Sequence, residues 1–207
     1  EECAALVKMW DKLVPQDDKI NSVSNYYFLD IGANIGSCLM EVLLSTNARI
    51  IGFEADPRNA NQITTTLMAQ PKDVRDRVAF FPVALGSATS RDSVIHQASD
   101  NRGNSVVDLG IKDYESQVML PPIPIFLERL DAILTKKSSN IKINLIKMDV
   151  QGFECNVIDG GLHVFEASRG ISTELDDAFL IKQNCSASGL MLRLQNAGYP
   201  KNFNEGN

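Results

Sequence analysis

Short, predominantly apolar runs alternate with helix-like segments along most of this chain, and that alternation constrains the fold more than any other feature. Tyr26–Ile31, Ala48–Phe53, Val78–Val83, Ile141–Met148 and Ile171–Leu175 are the apolar runs. Runs of this length read as strands buried on both faces, as in a parallel sheet. Cys3–Leu13, Gly36–Leu44, Pro57–Met68, Phe153–Gly160 and Ser188–Ala197 read as helices. The pattern predicts an α/β fold with a doubly wound, mostly parallel sheet and helices on both faces. Right-handed crossovers then bring the carboxyl ends of the strands to one edge. Ligands of such sheets bind at that edge, where the strand order reverses.

Three stretches depart from the alternation. Gly86–Pro124, with polar and glycine residues at Ser99–Ser105 and prolines at 121, 122 and 124, is expected to be a loop-rich excursion with short strand content. Its composition suits a cover over the site. Phe126–Lys136 is expected to be a short helix or turn, and Gly160–Gly161 to stop the preceding helix. The domain reading is an N-terminal helix and loop over 1–25 and one domain over 26–207, its final strands cut short.

Composition excludes several classes. The chain has 207 residues, 44% hydrophobic and 22% charged, as in ordinary globular domains. No apolar run approaches the roughly 20 residues of a membrane span. A net charge of -6 speaks against an extended nucleic-acid footprint. Cys3, Cys38, Cys155 and Cys185 lack C-x-x-C spacing, so no metal site is expected. They are expected to be reduced thiols in an intracellular, cytoplasmic protein, and Glu1–Trp10 does not read as a signal peptide. Nothing in the sequence speaks to the oligomeric state.

Three turns carry the chemistry. Asp30-Ile31-Gly32-Ala33-Asn34-Ile35-Gly36 joins a strand to a helix, with an acid ahead of a G-x-x-x-G spacing. A carboxylate there would repel a pyrophosphate but tolerate a cationic sulfonium. Gly32 permits a sharp turn and Gly36 close packing. Glu54 ends the next strand, about 20 residues on, where a carboxylate can accept both ribose hydroxyls. Asp56, ahead of Pro57, reads as a helix cap. In Ile146-Lys147-Met148-Asp149-Val150-Gln151-Gly152-Phe153-Glu154 a hydrophobic strand delivers Asp149 to the same edge. The sequence does not separate a site role for Lys147 from a solvated one. Glu154 reads as a first-turn helix acid.

Taken together, these turns resemble the FkbM-type family of S-adenosylmethionine-dependent methyltransferases over about Tyr26–Tyr199. D-I-G-A-N-I-G, F-E-A-D-P, A-L-G, L-D and I-K-M-D-V-Q-G-F-E occur in family order. The resemblance implies a Rossmann-like fold, S-adenosylmethionine as cofactor and O-methylation of a small-molecule or sugar-like acceptor. It implies cofactor contacts from Asp30, Gly32, Asn34, Gly36, Glu54 and, flanking the adenine, Ala84 and Leu85. Asp149 and Glu174 are the candidate catalytic acids. The chain departs from the family at Gln151, where Glu is common.

Two alternatives stand beside this reading. One is a catalytically inactive protein of the same fold that binds the cofactor or a partner, towards which Gln151 leans. The other is a nicotinamide-dependent dehydrogenase, against which the glycine spacing argues. His96, in the irregular segment, and His163, after Gly160–Gly161, read as solvated and structural respectively. Asp176 and Asp177 read as a solvated helix start in preference to metal ligands.

Overall fold

The computed structural model describes residues 2–99, 105–107, 119–135 and 141–200. The chain begins with α1 (Glu2–Leu13), α2 (Gln16–Lys19), β1 (Tyr26–Ile31), α3 (Ser37–Ser45), β2 (Arg49–Phe53) and α4 (Pro57–Met68). Next come α5 (Lys72–Arg75), β3 (Val78–Phe81), β4 (Ala84–Leu85), β5 (Ser90–Gln97), β6 (Ser105–Val107) and β7 (Ile123–Glu128). The last elements are α6 (Leu130–Thr135), β8 (Lys142–Met148), α7 (Glu154–Glu166), β9 (Ile171–Thr173), α8 (Asp177–Lys182) and α9 (Ala187–Asn196).

The main sheet has the order β3-β2-β1-β8-β9, and every pairing in it is parallel. This is the expected Rossmann-like α/β fold. Side chains alternate across the sheet, and both sets are apolar. Phe28, Ile50 and Leu145 pack with α1, α3 and α4 on one face. Leu29, Ile51 and Ile146 pack with α6, α7, α9 and the second sheet on the other. Burial on both faces is why these strands read as near-continuous apolar runs. The N-terminal helix belongs to this core: Leu6 and Trp10 are buried.

The irregular segment is more ordered than its composition suggests. A second sheet, β4-β7-β5-β6, is parallel between β4 and β7 and antiparallel elsewhere. Residues 100–104 and 108–118 of that segment lie outside the described residues. The expected helix or turn at Phe126–Lys136 is corrected. Residues up to Glu128 are strand, with Ile125 and Leu127 buried and Phe126 exposed, and helix begins at Leu130. Pro124 suggests a loop from sequence, but it stands at the start of β7, beyond β4, which pairs only with Leu127 and Glu128.

The glycine pair does not stop α7. The helix runs on to Glu166, with a kink at Gly161. Gly160 is there for close approach, since a Cβ on it would lie 1.9 Å from the Gly86 carbonyl oxygen. The cysteine expectation is also overturned. Cys3 is bonded to Cys38 and Cys155 to Cys185, across 35 and 30 residues of sequence. Packing of α1 on α3 brings the first pair together, which spacing along the chain cannot reveal. Among the described residues, no helix is long and apolar enough to cross a membrane.

Replacing a helix-interior glycine by alanine ordinarily gains about 1 kcal/mol. At Gly160 the clash with Gly86 should reverse the sign. Gly160→Ala is expected to lose about 2 kcal/mol of unfolding free energy in a urea titration. A stabilised variant would contradict the close docking of α7.

Candidate functional site

The strand order reverses between β1 and β8, and a groove opens there at the carboxyl edge. It is lined by Gly32 and Asn34 after β1, Glu54 and Ala55 after β2, and Asp149, Val150 and Gln151 after β8. Three backbone hydrogen bonds fix these turns together. Gly32 N and Ala33 N donate to Phe53 O at 3.0 and 2.9 Å, and Asp149 N donates to Ile31 O at 3.0 Å. Gly32 has φ +76°, and a Cβ on it would lie 1.9 Å from the Asp149 carbonyl oxygen. Glycine is therefore demanded here by the neighbouring turn. Gly36, also at positive φ, faces Ile63 of α4 and does not line the groove.

Glu54 is the most constrained acid of the groove. Oε2 accepts from Asn34 N and Oε1 from Asp56 N, both at 2.7 Å. The side chain of Asn34 accepts from Asn59 Nδ2 at 3.2 Å. Burial pushes the Glu54 carboxyl up to about 7, against the lowering effect of the two backbone N–H groups.

Asp30 lies behind the groove, not in its lining. It is fully buried, and burial raises its carboxyl above the ordinary value while Lys147 opposes that rise. Its charge is met by Lys147 Nζ at 3.5 Å, and the same ammonium donates to Gly32 O at 2.6 Å and lies 3.7 Å from Asp149 Oδ2. Burial alone would lower the Lys147 pKa, but Asp30 and Asp149 raise it above the usual lysine value. The ammonium therefore stays charged. Sequence reasoning left Lys147 undecided. The signal was a charge in an apolar strand, at the register position opposite Asp30 on β1.

Ala84 and Leu85 are buried and line the groove with Phe53 and Val83. Ile95, Ser105 and Val107 of the second sheet form the remaining wall. Asp56 caps α4 as expected, accepting from Arg58 N at 2.8 Å. It also accepts from Gln97 Nε2 and Ser105 Oγ, both at 2.6 Å, and so ties the second sheet to the groove. Neither Gln97 nor Ser105 was singled out from sequence. His96 neighbours Ile95 on a strand, so its side chain points away from the groove.

At the open side, Gln151 Nε2 donates to Asp149 Oδ1 at 2.8 Å and to Glu174 Oε2 at 3.3 Å. The two candidate acids are thus brought together. Asp149 also borders a second cavity of about 740 Å³, between α1 and β9, lined by Glu2, Lys147, Thr173 and Glu174 among others. Asp176 caps α8 through Ala178 N and Phe179 N. Among the described residues, no group of three or more His, Cys, Asp or Glu side chains could hold a metal ion. His163 is exposed on α7, 3.4 Å from Glu166.

Known proteins resemble this chain in sequence and in fold. The 2-O-methyltransferase NoeI of Sinorhizobium fredii is 31% identical over 159 residues, 72% of this chain, and the chain spans 63% of the length of that relative. The crystal structure of the methyltransferase FkbM from Methylobacillus flagellatus superposes with a TM-score of 0.52 at 15% identity, over 92% of this chain and 43% of that one. That likeness concerns the fold. The methyltransferase FkbM domain matches residues 30–200, and the chain belongs to the FkbM methyltransferase family.

Proposed function

We propose that this chain transfers a methyl group from S-adenosylmethionine to a hydroxyl of a small, sugar-like acceptor. The observation that carries the proposal is Glu54, anchored by two backbone N–H groups and still lining the groove. Each carboxylate oxygen can accept more than one hydrogen bond. Two adjacent ribose hydroxyls can therefore donate to Glu54 without displacing Asn34 or Asp56. Ala84 and Leu85 offer an apolar wall suited to an adenine. Gly32 and Asn34 border the same groove, and Asp30 acts on it through Lys147. When bound, S-adenosylmethionine supplies an electrophilic methyl group on a sulfonium.

The chain's own contribution is alignment and proton removal. Asp149 lines both the groove and the second cavity, so it can hold an acceptor hydroxyl between them. The hydroxyl proton passes to Asp149 or Glu174. The relative named a 2-O-methyltransferase supports oxygen as the acceptor atom. The two cystines favour an oxidising compartment over the cytoplasm.

The free protein favours the protonated Glu54 below about pH 7. A ligand that donates hydrogen bonds to the carboxylate must displace that proton. Affinity for S-adenosylhomocysteine should therefore fall as pH drops, by about tenfold between pH 8 and 6. Glu54→Ala should weaken binding about 30- to 150-fold at pH 8, and Glu54→Gln should weaken it less and flatten the pH profile. Calorimetry across this range is the measurement, and pH-independent wild-type binding would contradict the assignment. NAD should not bind.

Asp149→Asn should keep that affinity and lower turnover of S-adenosylmethionine with a saccharide panel by about 100-fold or more. Full turnover in the variant would reduce Asp149 to a turn residue. The groove encloses about 60 Å³, whereas sites for ligands of this size hold roughly 300–1,000 Å³. We read the β5–β6 wall, which carries Ile95, Ser105 and Val107, as the side that opens to admit cofactor and closes on it. Hydrogen exchange in 90–97 should slow when S-adenosylhomocysteine is added, and unchanged exchange there would count against a cover.

A further inference from the structure

Gln151 stands in a left-handed conformation, φ +52°, that a non-glycine residue adopts at a cost. The surroundings enforce it. Glu154 Oε1 accepts from Val150 N at 3.1 Å and from Gly152 N at 3.2 Å, gripping the backbone on either side of Gln151. Gly152, at φ +96°, is pressed against the Phe179 carbonyl, where a Cβ would lie 2.6 Å from the oxygen. A glycine at 151 would satisfy the same backbone without strain. What the glutamine adds is its amide, and both of its recorded hydrogen bonds go to acids, Asp149 and Glu174.

We infer that Gln151 is a positioning residue for the transfer reaction: its amide clamps Asp149 and Glu174 into one acid pair where the cofactor groove meets the second cavity. The inference rests on the O-methylation reading, in which those acids receive the acceptor proton. An amide can donate to two carboxylates at once without adding charge, whereas a carboxylate at 151 would put a third negative group among them. The pair is already crowded. Burial and the charges of Asp149, Asp176 and Glu2 raise the Glu174 carboxyl above its usual value, and the Gln151 hydrogen bond opposes them. Lys147 places its ammonium 3.7 Å from Asp149 Oδ2.

The test is a carboxyl-carbon NMR titration of Glu174 in the full chain, assigned with Glu174→Gln. Wild type is compared with Gln151→Gly and Gln151→Glu, with thermal midpoints measured alongside. Gln151→Gly should match or exceed wild-type Tm and raise the Glu174 midpoint, since an N–H donor to the ionised form is lost. Gln151→Glu should raise it further, since a third negative charge joins the pair. Unchanged midpoints in both folded variants would overturn the inference, as would a lowered Tm in Gln151→Gly with no change in titration. S-adenosylhomocysteine binding separates this from the parent reading. Its absence in wild type would sink the methyl-transfer proposal and leave the titration result standing by itself.

Discussion

A single buried ammonium holds the functional edge of this protein together. Lys147 is 5% exposed, yet its Nζ meets a backbone carbonyl from the first turn, Asp30 from β1 and Asp149 from the third turn. Removing one partner from such a group leaves an uncompensated buried charge, the costly case for ion pairs. Asp30, raised by burial, relies on Lys147 to favour its ionised form. The glycine turn, the acid behind it and the acid in front of it are therefore one unit. The main sheet supplies the rigidity, and the charge fixes how the turns emerging from it face one another.

The second sheet has a different relation to the groove. It provides a wall, packed into the core through Ile95, Ile125 and Leu127 and hydrogen-bonded to Asp56, which accepts from Gln97 and Ser105 as well as from its own helix. One buried acid thus serves as helix cap and as tether. Burial would raise its carboxyl, but the Arg58 guanidinium, Ser105 and the Arg58 N–H hold it below the ordinary value. Glu54, two residues earlier, has only backbone donors among the described residues, and burial pushes it the other way. The contrast separates an acid committed to structure from one with capacity left for a ligand.

Much of this was legible in the sequence. Strands buried on both faces announce themselves as apolar runs, and β1 and α4 have the boundaries read from sequence. The three turns that line the groove were found because glycine and acid positions at strand ends are local signals. What stayed hidden depends on distance along the chain. The β5–β7 strands were obscured because Pro124 and the polar residues around Ser99–Ser105 read as loop, while the alternation of Ile125 and Leu127 is only two residues deep. Gly160 read as a stop because its reason, the Gly86 carbonyl, lies far away in sequence. The cystines were missed for the same reason. Gln151 looked like a loss until its two acid neighbours came into view.

The strand order has a consequence for biosynthesis. β1 is paired on one side with β2, which follows it closely, and on the other with β8, so Gly32 and Lys147 meet across 115 residues of chain. A ribosome that has released only the first three strands of the main sheet has made the glycine turn and Glu54 but not the far bank of the groove. No partly made chain that lacks β8 can present Asp149 or neutralise Asp30. The ligand-binding edge is thus completed only by a late, long-range closure, the kind of step that slows folding of parallel sheets.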